Sequence, residues 1–216
     1  MNIVSMNIRG LGGITKQKSL RTPFSSLNPD LIMLQETMCD HITALQLFAK
    51  LNPRWKFYAL DAHGLFGGIL STWNPHLTCC KYYHSFVGIL LYARFKGLDY
   101  VFSIINCYGP YANITVFWDC AIDGGIFNYP NLILAGDLKF TLSDLEVWGD
   151  RARLDHQVLY FAQLLDTMNM VDLDPTTLGP TWRNGRVGIE GVSKRLDRFL
   201  ASIHLIPLLG SYHSWT

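Results

Sequence analysis

Charged residues are scarce in this sequence. Asp, Glu, Lys and Arg make up only 16% of its 216 residues, whereas 49% are hydrophobic. A chain of this composition buries a sizeable core, which excludes long disordered segments. Basic and acidic residues nearly balance, at 18 and 17. The overall charge therefore gives no argument for a polyanionic partner.

Long apolar runs are missing as well. Stretches such as FVGILLYARF at 86–95 are far shorter than the ~18–20 residues that span a bilayer. The N-terminus shows no basic segment followed by an apolar segment and a cleavage site, as a secretory signal requires. The sequence therefore predicts no membrane partner and an intracellular location, either nuclear or cytoplasmic.

Cysteine patterns that mark metal or redox sites are absent. The five cysteines form no C-x-x-C pair and show no ordered spacing with histidine. This pattern favours reduced, mostly buried thiols over a disulfide framework or a zinc site. The adjacent Cys79 and Cys80 are expected on opposite faces of one strand.

No repeat, low-complexity tract or linker divides the chain, so the sequence predicts a single domain over residues 1–216. Short apolar runs between turn residues are typical of strands. The predicted strands are 2–8, 30–36, 55–60, 67–73, a pair across 79–95, 100–108, 131–137 and 194–202. The predicted helices are 40–51, 155–168 and a weaker one at 115–122. This order indicates an α/β domain of layered sheets flanked by helices.

Polar side chains end four of the predicted strands. They are Asn7, Gln35 with Glu36, Asn106 with Tyr108, and Asp137. Any one of them is most simply a strand-ending group satisfied by a turn, but four together favour a site beyond the strand ends. Carboxylate oxygens, with waters and a substrate phosphate, are the usual ligands of Mg²⁺.

Seven segments resemble, in order and spacing, those of the endonuclease/exonuclease/phosphatase superfamily. The closest resemblance is to the endonuclease domain of plant LINE-type (non-LTR) retrotransposons. The segments are SMNIRGLGG, PDLIMLQET, GGILSTWN, NCYGP, LAGDLKF, GPTWRNGR with SKRLDRFLAS, and SYHSWT. The resemblance implies a deoxyribonuclease-like, four-layered α/β sandwich in which helices flank two packed mixed β-sheets. It also implies a site for Mg²⁺ (or Mn²⁺) at one end of the sheets.

The resemblance implies roles for single residues. Glu36 is expected to be the principal metal ligand, with Asn7 beside it at the metal. Tyr108 is expected to approach the scissile phosphate, Asp137 to orient or activate the attacking water, and His213 to contact the phosphate. A further family position, Asp197, is expected to support the site.

Two positions depart from the family pattern. Lys139 stands where the family has an active-site asparagine, because Gly-Asp-Leu-Lys replaces Gly-Asp-Phe-Asn. Tyr212 replaces the aspartate that orients the histidine. Losing one transition-state donor typically costs ~10²–10³ in rate. An ammonium about 5 Å from a cation repels it by roughly 3 kcal/mol per unit charge at an effective dielectric of about 20.

One segment of the chain is locally basic. Between 183 and 198, five Lys and Arg residues face only Glu190 and Asp197. A solvated face is at least as common as a phosphate-binding one. The candidates for nucleic-acid contact are Trp182, Arg183, Arg186 and Lys194.

The sequence leaves three functions open. The first is a retroelement-derived domain with little or no activity that binds nucleic acid, such as DNA, or a protein partner. The second is an active Mg²⁺-dependent DNA endonuclease, in which Lys139 paired with Asp137 serves as a phosphate donor. The third is a phosphatase or phosphodiesterase for a small phosphorylated substrate. The sequence predicts no oligomeric state.

Overall fold

A computed structural model of the chain describes residues 1–11, 13, 20, 26–63, 66–149 and 157–215. The strands are β1 Ile3–Asn7, β2 Leu31–Gln35, β3 Lys56–His63, β4 Phe66–Trp73, β5 Thr78–Ser85, β6 Gly88–Phe95, β7 Phe102–Tyr108, β8 Leu132–Asp137, β9 Val147–Trp148, β10 Met170–Asp172, β11 Trp182–Arg183, β12 Ser193–Lys194 and β13 Asp197–Ser202. The helices are α1 His41–Leu51, α2 Ile114–Asp123, α3 Val158–Thr167 and α4 Ile206–Leu209.

The described strands form sheets of four, six and three strands. Their hydrogen-bonded orders are β1-β2-β4-β3, β10-β13-β8-β7-β6-β5 and β11-β12-β9. In the first sheet β1 runs parallel to β2, whereas β4 is antiparallel to both β2 and β3. The prediction of an α/β fold with mixed sheets and helices is confirmed.

The chain divides into two compact units. The first comprises Met1–Tyr108 and Leu134–Gly136. Every residue of β2 is buried, as expected of a continuous apolar run covered on both faces. Ala44 and Phe48 of α1 pack into the same apolar cluster as residues of β1, β2 and β4.

Helix α1 begins where the sequence predicts. The Asp40 carboxylate caps it by accepting a hydrogen bond of 2.8 Å from the Thr43 N–H. Its residues Ala44 and Phe48 are buried, whereas Ile42 is 56% exposed. Ile42 lies about 200° around the helix from Ala44 at ~100° per residue. The buried stripe therefore faces away from this apolar residue.

The second unit comprises Gly109–Ile133 and Asp137–Thr216. Its core contains an aromatic cluster that joins two of its helices. The Phe140 ring stacks on Phe161 of α3, with centroids 4.0 Å apart. Trp118 of α2 packs edge-on against Phe140 at 5.6 Å and is fully buried. Buried aromatic rings of this size remove large apolar areas from water, which stabilises this unit.

The predicted strand 194–202 is in fact two strands, β12 and β13. The chain leaves the ladder at Arg195, whose N–H donates to the Glu146 carbonyl at 3.1 Å. The Leu196 N–H then donates to the Thr181 hydroxyl at 2.9 Å. The strand breaks because the Leu196 N–H donates to a side-chain oxygen and not to a neighbouring strand. Residue 155, predicted near the start of α3, lies outside the described residues. None of the described helices is long and apolar enough to cross a membrane.

Candidate active site

The two expected metal ligands, Asn7 and Glu36, lie where two neighbouring strands of the four-stranded sheet end. β1 and β2 are parallel, and Asn7 pairs in register with Gln35, the residue before Glu36. Asn7 and Glu36 therefore lie at the carboxyl ends of neighbouring parallel strands. An amide oxygen and a carboxylate oxygen are hard donors of the type that Mg²⁺ prefers. The residues present thus fit the ion that the resemblance implies.

Glu36 turns sharply out of strand β2. Its φ of 53° lies in the left-handed region, which is costly for a residue with a side chain. The Gly10 N–H donates to the Glu36 carbonyl at 2.7 Å, and the Thr37 N–H donates to the Gly68 carbonyl at 3.0 Å. The Tyr108 hydroxyl donates to Glu36 Oε1 at 2.7 Å. The structure thus brings together Glu36 and Tyr108, which are 72 residues apart in sequence.

Buried amides join the strands behind this pair. Gln35 Nε2 donates to Asn106 Oδ1 at 2.6 Å and to Ser5 Oγ at 3.1 Å. Asn106 Nδ2 donates to the Leu70 carbonyl at 3.0 Å and to Ser71 Oγ at 3.1 Å. Gln35 and Asn106 have no exposed surface, so these bonds form in a low-dielectric interior. Asn106 is therefore a structural bridge from β7 to β2 and β4.

Gly136 makes room for this bridge. Its φ is 142°, and a Cβ atom there would collide with the Cys107 carbonyl oxygen and lie 3.2 Å from Gln35 Nε2. Only glycine permits this approach without a shift of the backbone. The glycine before Asp137 is thus required by packing within the first unit.

In the second unit, Asp137 and Lys139 form a buried ion pair. Lys139 Nζ lies 2.5 Å from Asp137 Oδ2, and the side chains of the lysine and the aspartate are 6% and 2% exposed. The Nζ also lies 4.2 Å from the centroid of the Tyr111 ring, in a cation–π contact. Tyr111 follows the NCYGP segment, and no pattern in the sequence signals its contact with the lysine.

The backbone conformation at Lys139 favours asparagine over lysine at this position. Its φ of 64° is left-handed, a conformation that asparagine adopts far more readily than lysine. The family's asparagine therefore matches the local backbone. Lysine retains the turn at a cost of about 1–3 kcal/mol.

Asp197 and His213, the other expected site residues, also belong to the second unit. Asp197 begins β13, and its N–H donates to the Thr181 hydroxyl at 3.0 Å. His213 and Tyr212 are exposed in the C-terminal segment, which is held by the Thr176 N–H donating to the Ser214 carbonyl at 3.1 Å. In the described part of the chain, His213 takes part in no ion pair.

The four candidates for nucleic-acid contact lie on the hairpin formed by β11 and β12. Trp182 pairs with Lys194 across the strands, and Arg183 pairs with Ser193. Because cross-strand partners share a face, Trp182 and Lys194 lie on one face and Arg183 on the other. Arg186 lies in the connecting loop, where its Nη1 is 3.1 Å from Glu190 Oε2.

The loop of this hairpin is ordered and apolar at its tip. Asn184 Oδ1 accepts hydrogen bonds from the Arg186 and Val192 N–H groups, at 3.0 and 3.2 Å. Val187 is 91% exposed and Ile189 is 59% exposed. Two apolar side chains therefore project from a loop flanked by arginines.

The other two basic residues of this segment are not on the surface. Arg195 and Arg198 are 1% and 3% exposed. Arg195 Nη1 lies 2.7 Å from both Glu146 and Asp172, and Arg198 contacts the same two carboxylates at 2.5 Å. These arginines hold the second unit together and are unavailable to a phosphate.

This network also bears on metal binding. Carboxylate oxygens of Glu146, Asp172 and Asp174 lie within 4.8 Å of one another, close enough to ligate one ion. Arg195 Nη1 contacts all three, the farthest being Asp174 at 3.1 Å. A guanidinium therefore supplies the cation that these acids require. Asn7 and Glu36 stay the predicted ligands of a catalytic ion.

Comparison with known proteins shows a nuclease fold. No protein-family model and no curated protein matches the sequence. An AP endonuclease from Archaeoglobus fulgidus is 14% identical in sequence and has a TM-score of 0.71. The match covers 96% of this chain and 88% of the endonuclease chain. The endonuclease domain of TRAS1, a telomere-specific non-LTR retrotransposon, is 12% identical, with a TM-score of 0.68 over 94% and 86%. A 3′ phosphatase from Neisseria bound to a product DNA hairpin is 16% identical, with a TM-score of 0.67 over 94% and 86%.

These similarities concern the fold. The fold expected from the predicted resemblance is confirmed, since two endonucleases and a 3′ phosphatase share it with this chain. The sequence identities are too low to transfer an activity or a substrate.

Substitution of Gly136 by alanine should destabilise the protein strongly. The new Cβ would collide with the Cys107 carbonyl oxygen, and the alanine would have to keep an unfavourable positive φ. We therefore expect the free energy of unfolding to fall by about 2–5 kcal/mol. Urea denaturation followed by circular dichroism measures this. Gly97→Ala is the matched control, because Gly97 also has a positive φ but no atom within 4 Å of its Cβ position. Equal destabilisation of the two variants would show that the close approach is unimportant.

Glu146 should make stability depend on acid pH. Burial raises the pKa of Glu146. Hydrogen bonds from Arg198 and Arg195, together with the charge of Arg198, lower that pKa by more than burial raises it. The net pKa therefore lies below the ordinary value of 4.5. A lowered folded-state pKa contributes stability above pH 4.5 that is lost as pH falls through the folded value.

Glu146→Gln should therefore remove about 3–5 kcal/mol of unfolding free energy at pH 7 and flatten its acid dependence. Glu190→Gln is the control, because its pair with Arg186 is exposed and such pairs are worth at most about 1 kcal/mol. A Glu146 variant as stable as this control would contradict the assignment.

Proposed function

We propose that this chain is a nucleic-acid-binding domain on a nuclease scaffold, with weak or absent Mg²⁺-dependent phosphodiester cleavage. The observation that carries the proposal is the ion pair between Lys139 and Asp137. An ammonium 2.5 Å from Asp137 Oδ2 contacts the oxygen that a water molecule or a cation would otherwise contact. Separating a buried pair costs several kcal/mol, so Asp137 stays bonded to Lys139.

The expected ion site has the residues it needs. Glu36 and Asn7 are the residues that would hold Mg²⁺, and Tyr108 would fix the Glu36 carboxylate through the 2.7 Å hydrogen bond. A bound Mg²⁺ would supply Lewis-acid neutralisation of phosphate charge. Asp137 is expected to orient the attacking water. Lys139 opposes this step because it occupies the Asp137 carboxylate. Tyr212 adds a second obstacle, because it gives His213 no carboxylate.

The hairpin of β11 and β12 supports nucleic-acid binding. Arg183, Arg186 and Lys194 supply charges for phosphates, which dominate affinity for DNA. Val187 and Ile189 project between them, and apolar side chains of this kind insert between base steps in many minor-groove complexes. The combination favours a nucleic acid over a protein partner.

Cleavage is the second candidate function. It is favoured by the intact arrangement of Asn7, Glu36 and Tyr108, and by the capacity of a lysine to donate to phosphate oxygens. A phosphatase acting on a small phosphorylated substrate is a third, since one similar structure is that of a 3′ phosphatase.

A plasmid-nicking assay separates these functions. We expect wild-type protein to relax supercoiled plasmid slowly or not at all with Mg²⁺ or Mn²⁺. Lys139→Asn with Tyr212→Asp should raise the nicking rate by roughly 10²–10⁴, the range associated with losing such groups. Adding Glu36→Ala to the double variant is the control, and it should abolish the gain.

Two outcomes would contradict the proposal. One is efficient wild-type nicking that Glu36→Ala abolishes, which would establish an active endonuclease. The other is a folded double variant that remains inactive, which would show that Lys139 and Tyr212 are not the obstacle. Release of phosphate from small phosphomonoesters would favour the third function.

Binding of the protein to duplex DNA in the presence of EDTA tests whether the hairpin contacts nucleic acid. Arg183→Gln with Arg186→Gln should weaken binding and reduce the salt dependence of log K by ~0.9 for each phosphate that the protein no longer neutralises. Fluorescence anisotropy between about 50 and 200 mM salt measures both quantities. Lys50→Gln, which removes one charge at an exposed position of α1, is the control. Absence of binding at low salt would overturn the nucleic-acid proposal.

A further inference from the structure

Strands β5 and β6 carry a second surface with aromatic and basic residues. β5 is an edge strand, and its register places Lys81 opposite Tyr92, Cys79 opposite Arg94 and Tyr83 opposite Leu90. Alternate residues of a strand point to the same side, and cross-strand partners share it. Lys81, Tyr83, Tyr92 and Arg94 therefore lie on one face, termed here the outer β5–β6 face.

The opposite face of the same strands is used for packing. Tyr82 stacks on Tyr58 of β3 with ring centroids 4.3 Å apart, and its ring is 6.1 Å from that of Trp73. The cross-strand partner of Tyr82, Leu91, is completely buried. This packing within the first unit fixes the direction in which Tyr83, the next residue, points.

The aromatic residues of the outer face are ordered and accessible. Tyr83 is 53% exposed, and its ring meets Tyr92 edge-on at 5.7 Å. An exposed ring held by a neighbouring ring loses little conformational entropy when a planar ligand stacks on it.

Basic residues outnumber acidic ones in this region. Between 78 and 103 the chain carries Lys81, Arg94 and Lys96, and its single acidic residue is Asp99. All three basic side chains are exposed. Among the residues that the structure describes, none of the three takes part in an ion pair. Three such cations beside a tyrosine pair form an electropositive surface that suits a polyanion.

We propose that the outer β5–β6 face binds single-stranded nucleic acid. Tyr83 would stack on an unpaired base. Lys81 and Arg94 follow one another along the face in one direction from Tyr83, and they would contact successive phosphates on that side of the base. Exposed aromatic rings that stack on bases, combined with a basic groove, are the usual means of binding single strands without sequence preference. Bases in a duplex are stacked on one another and cannot reach the tyrosine, so the face selects single strands.

This surface uses none of the residues of the hairpin and none of the expected metal ligands. Binding here needs neither cleavage nor a metal ion, so it does not depend on the function proposed above.

The test is fluorescence anisotropy with 5′-labelled dT12 and rU12 in EDTA at about 50 mM salt. We expect both oligonucleotides to bind, with log K falling by ~0.7 per phosphate neutralised as log salt rises. Tyr83→Ala should weaken binding by roughly 5–100-fold, the effect of losing one stacked base. Tyr83→Phe is the matched control and should retain the affinity, because phenylalanine keeps the ring. Lys81→Gln with Arg94→Gln should weaken binding, whereas Lys50→Gln should not.

Three results would overturn the inference. The first is that neither oligonucleotide binds at low salt. The second is single-strand binding that Tyr83→Ala leaves unchanged and that Arg183→Gln with Arg186→Gln removes, which would assign it to the hairpin. The third is self-association that Tyr83→Ala abolishes, without oligonucleotide binding, which would show that the face binds a second copy of the chain. Circular dichroism of each variant verifies that the exposed substitutions leave the fold intact.

Discussion

A buried ammonium bonded to a buried carboxylate is the interaction on which the functional account depends. Lys139 Nζ and Asp137 Oδ2 are 2.5 Å apart, and both side chains are almost fully enclosed. Neither charge is stable in such a place without the other. Asp137 Oδ2 therefore already has a cationic partner, and the residue expected to activate water is engaged by lysine. The cation–π contact with Tyr111 further holds the ammonium in place.

The two units are stabilised by different kinds of polar interaction. In the first, neutral amides join strands through Gln35 and Asn106, and the glycine at 136 allows their approach. In the second, charged groups are buried together, as Arg195 and Arg198 are with their carboxylates. Both arrangements leave few ways to move a backbone segment. Changes of function are consequently expected from side-chain substitutions such as that at position 139.

Much of the fold could be predicted from sequence because apolar runs between turn residues mark the central strands. β2, β7 and β8 lie within one or two residues of their predicted bounds. The two-residue strands β9, β11 and β12 show no alternation from which to predict them. The break between β12 and β13 depends on the Thr181 hydroxyl, 15 residues from Leu196 in sequence, which no local pattern reveals.

The candidate site could be predicted in part. The NCYGP and LQE segments point to Tyr108 and Glu36, and the structure places these side chains in contact. The depth at which Lys139 is buried could not be predicted, because it depends on the left-handed turn at that residue and on the Tyr111 ring. The basic segment is harder to interpret from sequence, since burial removes Arg195 and Arg198 from the surface while leaving Arg183 and Arg186 exposed.

Calorimetric titration with Mg²⁺ tests the central claim most directly. The proposed function predicts that Lys139→Asn binds Mg²⁺ at least about ten-fold more tightly than the wild type, because the substitution releases the Asp137 carboxylate from its ammonium partner. Adding Glu36→Ala should abolish that binding. Equal Mg²⁺ affinities of the wild type and Lys139→Asn would contradict the claim that Lys139 opposes metal-dependent chemistry.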